Sequence, residues 1–180
     1  MSRLIHLNGP PGIGKSTIAR RYVAEHPGVL NCDIDLLRTA IGGWDADFEM
    51  AGVLIRPAAL AMIEAYLANG HDVVMPQMIV NPDELARFEA AATRAGADYV
   101  ERFLMDSAPS SVARFHRRDQ TDPWNDLVRA VVARKGGDEA LAGFHAGLER
   151  LLAGRPDALV VASVEGDAEA TYRALVATLS

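Results

Sequence analysis

The sequence is short of cysteine, of positive charge and of long apolar runs, and each shortage removes a class of protein. With Cys32 as its single cysteine, the chain of 180 residues cannot close an internal disulfide, which excludes a small scaffold held by such bridges. Lys and Arg number 18 against 24 Asp and Glu, for a formal net charge of -6. That balance fits poorly with binding along a nucleic acid, where many phosphates must be neutralised by cations. No uninterrupted apolar run reaches the roughly 18 residues that a membrane span needs. Nor does a charged leader followed by an apolar segment open the chain, so a reducing, cytoplasmic location without a membrane partner is expected. His6, His26, His71 and His145 fall at no metal-ligand spacing.

What is present suits one globular domain over residues 1–180, with 49% apolar and 23% charged residues. Short buried strands are expected at Leu4 to Leu7, Val29 to Cys32, Asp72 to Met75, Tyr99 to Met105 and Ala158 to Ala162. Between them, helical spacing runs over Lys15 to His26, Asp35 to Ile41, Arg56 to Asn69, Pro82 to Arg94, Ser110 to Arg118 and Asp138 to Ala153, with Ala168 to Leu179 closing the chain. Strands separated by helices require right-handed crossovers. The expected class is therefore α/β, a three-layer α/β/α fold with five mostly parallel strands.

Between the first strand and the first helix stands Gly9-Pro10-Pro11-Gly12-Ile13-Gly14-Lys15-Ser16, which fits G-x-x-x-x-G-K-[ST], the P-loop pattern. Its glycines let the chain turn around a polyphosphate. Backbone N–H groups of Gly12, Ile13, Gly14, Lys15, Ser16 and Thr17 converge at the positive end of the helix dipole. Pro10 and Pro11 have no N–H to give. Lys15 is expected to reach the β- and γ-phosphates of ATP or GTP, and the Ser16 hydroxyl to ligate Mg²⁺.

The second strand runs into Asn31-Cys32-Asp33-Ile34-Asp35-Leu36-Leu37-Arg38, which sets two carboxylates at the C-terminal end of a strand, where ligands of open α/β sheets collect. Either Asp could instead cap the helix that follows. This D-x-D-x-x-R segment, with the P-loop, resembles small P-loop kinases, a family that includes shikimate, gluconate and adenylylsulfate kinases and the chloramphenicol phosphotransferases. The resemblance implies a P-loop NTPase fold with a lid and transfer of a γ-phosphoryl group to a hydroxyl of a small molecule. It also implies that Asp33 acts through Mg²⁺, that Asp35 orients or deprotonates the hydroxyl, and that Arg38 holds the acceptor.

The sequence departs from many P-loop proteins after its third strand, where Val73-Val74-Met75-Pro76-Gln77 has no metal-associated acid. Gln77 is a candidate for hydrogen bonds to a polar acceptor, or a solvated strand end. The segment from Pro76 through Val80-Asn81-Pro82 to Phe103 resembles, more loosely, tunicamycin-resistance-type proteins, which implies an antibiotic or nucleoside-like acceptor. Only Arg38 and Arg56 lie outside the lid as obvious anion binders, a count that favours a neutral acceptor.

Arg114-Phe115-His116-Arg117-Arg118 leads into the turn-rich Asp119 to Trp124, read as a mobile loop within a lid over about 114–136. By the same resemblance Arg114 and Arg118, four apart on one helical face, grip the nucleotide phosphates, a task that suits planar guanidinium groups. Arg117 and His116 fit a solvated face equally well. Trp124 could close over the acceptor or pack the lid, and Trp44 could stack on a ring. Ser163 to Asp167 would border the base, with nothing in it to read adenine over guanine. The competing readings are a nucleoside or nucleotide kinase and a nucleotide-dependent binding or resistance protein without transfer; either a monomer or a homodimer is compatible.

Overall fold

The computed structural model describes residues 1–119 and 121–179. Its strands β1 (Arg3–Asn8), β2 (Leu30–Asn31), β3 (Val73–Met75), β4 (Asp98–Met105) and β5 (Leu159–Ala162) form one sheet in the order β2-β3-β1-β4-β5. Every pairing is parallel. The helices are α1 (Lys15–Glu25), α2 (Ile34–Arg38), α3 (Phe48–Ala68), α4 (Pro82–Arg94), α5 (Ala108–His116), α6 (Pro123–Arg134), α7 (Asp138–Ala153) and α8 (Ala168–Ala177). The three-layer α/β/α architecture expected from the pattern is the one observed.

Strand alternation divides the core. Ile5 and Leu7 of β1 join Ile18, Ala19 and Tyr22 of α1 and Leu175 of α8 on one face. On the other, Leu4 packs with Ile55, Ile63 and Leu67 of α3 and with Leu85 and Phe88 of α4. His6 and Asn8 share the face of Leu4, since side chains two apart point the same way, and both are fully buried. There they are satisfied by specific bonds. The His6 ring nitrogens meet the Tyr99 hydroxyl and the Gln77 carbonyl, each at 2.7 Å. Asn8 accepts from the N–H of Gly9 at 2.9 Å and of Ile79 at 3.0 Å, and donates to the Ile79 carbonyl at 2.9 Å. Two side chains of one strand thus tie the start of the phosphate loop to the segment that carries Gln77.

Two helices differ from expectation. α3 begins at Phe48, two turns before Arg56, and runs through Pro57. Asp47 caps it by accepting from Met50 N at 2.9 Å. The interior proline removes the bond to Val53, but both residues lie on the exposed face of the helix, where water can serve the free carbonyl. By length and composition α3 could cross a membrane; in this fold it packs on α2 and α4. The second difference is α6, which occupies part of the lid where a mobile loop was expected. Asp122 caps it by accepting from Trp124 N at 2.9 Å, and its own Val131 and Val132 are buried. Gln120, within that expected loop, lies outside the described residues.

Candidate active site

The C-terminal ends of β1, β2 and β3 open into a cleft of about 1080 Å³. The phosphate loop forms its floor. Gly9, Gly12 and Gly14 have φ of 146°, 85° and 101°, a region that costs other residues about 1–2 kcal/mol. Gly14 sits directly before α1 in the left-handed conformation, so the first N–H groups of that helix point out of the loop. The loop is also closely walled. A Cβ on Gly12 would stand 3.2 Å from the Phe115 backbone and 3.4 Å from Arg118 Nε. α5 therefore delivers Arg118 to the loop by backbone contact, and Arg118 lines the cleft.

Lys15 folds back over the loop and donates to the carbonyls of Gly9 at 2.8 Å and Pro10 at 3.0 Å. Burial, with the Arg118 charge adding to it, lowers its pKa to about 8. The native chain thus holds its Lys15 proton less tightly than the unfolded chain. Stability is penalised below pH 8 and the penalty is relieved as pH rises from about 8 toward the ordinary 10.5. A polyphosphate beside Lys15 reverses the shift by favouring the charged form. Binding of MgATP at pH 8.5 is therefore expected to take up protons, read by calorimetry in buffers of different ionisation enthalpy; an enthalpy independent of buffer would contradict this.

Asp33 and Asp35 both line the cleft. Asp33 is buried and caps α2, its Oδ1 accepting from Asp35 N at 3.2 Å and Leu36 N at 3.4 Å. Capping occupies one oxygen, so it is compatible with a second task for the other. Ser16, across the loop, lines the same cleft. One hydroxyl and one carboxylate fit Mg²⁺, which takes few protein ligands and completes its octahedron with phosphate oxygens and water. Among the described residues no cluster of three or more His, Cys, Asp or Glu could hold a metal unaided. Asp35 keeps 42% of its side chain open; desolvation at the base of the cleft raises its pKa, opposed first by the Arg38 charge. Its exposed part limits that rise.

Arg38 is buried, and its guanidinium lies under the Phe48 ring with 3.7 Å between Cζ and the ring centroid. Its Nη2 meets Asp35 Oδ1 at 3.3 Å, while Nε and Nη1 have no partner. Burial lowers its pKa, with Arg56 adding to the effect. Gln77 is buried on the same cleft, and its Oε1 also has no partner. Each unpaired buried polar group costs about 1–3 kcal/mol, more when charged. Trp44 and Trp124 stack with centroids 5.6 Å apart and Phe48 meets Trp124 at 5.7 Å, so α6 and the α2–α3 connection close one wall together. The Lys135–Glu49 ion pair at 2.7 Å joins the same elements.

Arg114 does not line this cleft. Its guanidinium bonds to Asp106 at 3.2 Å, to the carbonyl and hydroxyl of Ser163 at 3.1 Å, and to the Ile13 carbonyl at 3.3 Å. Expected to grip phosphate, it here holds the back of the phosphate loop. Ser163 shares the task, donating to the Ile13 carbonyl at 2.9 Å. From the sequence both Arg114 and Arg118 were expected at the nucleotide, with Arg118 also expected to be catalytic. Of the two, only Arg118 reaches the cleft, because the helix ends beside Gly12. Phe48, reached by neither motif nor spacing, was missed because α3 was expected to start later.

Strand order, glycine loop and the charged side chains at its rim define a P-loop nucleotide-binding protein with the fold of small-molecule kinases. The pattern of the AAA domain family matches residues 4–135, and the chain belongs to that family. A gluconokinase from Sinorhizobium meliloti 1021 superposes with a TM-score of 0.59 at 21% identity, over 99% of this chain and 93% of that one. An unconfirmed kinase from Chloroflexus aurantiacus j-10-fl gives 0.63 at 15% identity, over 99% and 94%. Likeness at this identity concerns the fold. No curated protein matches the sequence.

Proposed function

We propose that this chain is an ATP- or GTP-dependent O-phosphotransferase that moves the γ-phosphoryl group to a hydroxyl of a small molecule. The observation that carries the reading is the placing of Asp35 in one cleft with the phosphate loop, Lys15 and Arg118. Asp33 caps α2 and can serve Mg²⁺, which leaves Asp35 as a second carboxylate in the same cleft with no task in holding the nucleotide. It suits an attacking hydroxyl, whose proton needs an acceptor within hydrogen-bond reach.

In this reading the N–H groups of Gly12 to Thr17 seat the β-phosphate, and Lys15 leaves its carbonyl partners for the γ-phosphate. Arg118 neutralises charge that develops on the transferring group. Ser16 and Asp33 would hold Mg²⁺, which would supply positive charge to offset that of the phosphates. Asp35 orients the hydroxyl and takes its proton, while Arg38 and Gln77 hold the acceptor. Arg114 and Ser163 keep the loop in place from behind. The aromatic wall of Trp44, Phe48 and Trp124 excludes water as the lid seats, which disfavours hydrolysis. The chemistry belongs to a cytoplasmic enzyme supplied with Mg²⁺ and nucleotide.

The test follows label from γ-labelled ATP or GTP into a panel of sugars, sugar acids, nucleosides and aminoglycoside antibiotics in the presence of Mg²⁺. Label is expected in at least one hydroxylated product. Tight nucleotide binding with no label in any acceptor or in water would favour a binding protein.

A further inference from the structure

The face of the sheet that packs on α3 and α4 holds a polar network for which the proposed reaction has no direct use. His6 is fully buried, and Glu101, its register partner on β4, is only 4% exposed. The His6 Nδ1 meets the Tyr99 hydroxyl at 2.7 Å and Glu101 Oε1 at 3.5 Å. Arg155, just after α7, pairs with Glu101 and with Glu89 of α4. Burial works to raise the Glu101 pKa, but His6 and Arg155 outweigh it and the net shift is downward, so the carboxylate stays charged. Desolvating such groups costs free energy, and apolar side chains of similar volume often serve a core as well or better. Packing alone gives no reason for this network.

What the network reaches is the cleft. Between the end of β3 at Met75 and the start of α4 at Pro82 the chain is irregular, and Pro76, Gln77 and Met78 of this stretch line the cleft. Gln77 is buried, yet its Oε1 has no partner, so no bond at that oxygen fixes the side chain. Its place depends on the backbone. The Gln77 N–H reaches the Met75 carbonyl at 3.2 Å, and the Gln77 carbonyl meets His6 Nε2 at 2.7 Å. A carbonyl can only accept, so Nε2 carries a proton, and in the neutral ring Nδ1 is left to accept from the Tyr99 hydroxyl. Two residues on, Asn8 holds Ile79 through both of its backbone groups.

We propose that His6 is a positioning residue of the acceptor site: its Nε2–H fixes the Gln77 backbone, while Tyr99, Glu101 and Arg155 fix the ring, so that the unpartnered Gln77 Oε1 is presented to a hydroxyl of the acceptor. The acceptor role of Gln77 rests on the phosphotransfer reading; the hold of His6 on Gln77 does not.

Ring nitrogen chemical shifts of the wild-type protein should show His6 protonated at Nε2; a ring protonated at Nδ1 alone overturns the hold. Two variants separate this contact from general disturbance of the core. His6→Gln can place its amide near the position of Nε2 and still donate to Gln77, whereas His6→Asn is too short and keeps only the Tyr99 side. Amide exchange at Gln77, read by NMR, should quicken tenfold or more in His6→Asn and stay within threefold of wild type in His6→Gln, with the amides of β5 unchanged in both. Equal exchange in the two variants overturns the hold. Should His6→Asn fail to fold, the ring state of the wild-type protein still decides it. For the acceptor, γ-labelled MgATP is offered with glucose, gluconate, adenosine or kanamycin. With a compound that takes label, His6→Asn should raise KM at least fivefold at a kcat within twofold of wild type, as loss of uniform binding requires, and His6→Gln should restore KM. On a Gln77→Ala background His6→Asn should add less than twofold, since residues that act through one another are not additive. An additive loss overturns the positioning role with phosphotransfer intact. No label in any compound counts against phosphotransfer and the acceptor role with it, while ring state and exchange still decide the hold on Gln77.

Discussion

Asp35→Asn is expected to lower kcat by roughly 10²–10⁴-fold, the range for loss of a positioned general base, while the dissociation constant for MgATP changes by less than about threefold. The asymmetry follows from where Asp35 stands. In the proposed mechanism nucleotide is held by backbone N–H groups and by Lys15, and Asp35 serves the acceptor. Asn retains the size and one oxygen of Asp but cannot take a proton. It also leaves Arg38 without the counter-charge that now meets its Nη2 at 3.3 Å, so KM for an uncharged acceptor should rise modestly. Burial at the base of the cleft raises the Asp35 pKa, so wild-type kcat/KM should climb with pH above the ordinary carboxylate range, and that limb should vanish in the variant. The decisive measurements are single-turnover label transfer and equilibrium nucleotide binding on the same preparations. Turnover within twofold of wild type would remove Asp35 from the chemistry; nucleotide affinity lost in parallel would show that the variant disturbs the loop.

Gly9→Ala carries the largest expected effect on stability. Its φ of 146° and the 2.3 Å between an added Cβ and the Leu104 carbonyl oxygen make two separate penalties. The oxygen belongs to the backbone of β4, hydrogen-bonded into the sheet beside β1, so no side chain can rotate away. Overpacking costs about 1–3 kcal/mol and a disfavoured backbone conformation about 1–3 kcal/mol, giving a loss of roughly 2–6 kcal/mol in urea denaturation, with nucleotide binding lost as the loop shifts. Gly70→Ala is the matched control. Gly70 has φ of 84° with nothing within 4 Å of an added Cβ, so it should lose only the backbone part, about 1–2 kcal/mol, with nucleotide binding intact. Equal losses at the two positions would show that backbone conformation, and not contact with β4, accounts for the Gly9 effect.

Much of the fold is legible because its signals are local. Apolar runs of four to eight residues ended by glycine or proline mark buried parallel strands, and caps such as Asn81 and Asp122 act on neighbouring N–H groups. α6 could have been found this way, since Asp122-Pro123 and the spacing of Val128, Val131 and Val132 are a helix start and an apolar face; the polar turn before it drew attention instead. The true start of α3 was hidden by Pro57, which normally argues against a helix interior. Only the exposure of the face around Val53 explains its tolerance.

The sequence by itself determined the phosphate loop, because a tight turn, a helix N-terminus and a lysine within eight residues need no distant partner. It also determined the α/β layering, which follows from the alternation of strand and helix periods. Tertiary structure alone decided which arginines reach the cleft. Arg114 and Arg118 share a helical face, yet contacts with Ser163 and Ile13 claim the first and the approach of α5 to Gly12 delivers the second. Likewise Arg38 and Arg56, eighteen positions apart, become neighbours only because α2 and α3 fold together over Gly52. Charge at a distance in sequence has no fixed geometry until packing brings it together and burial removes the water that would otherwise screen it.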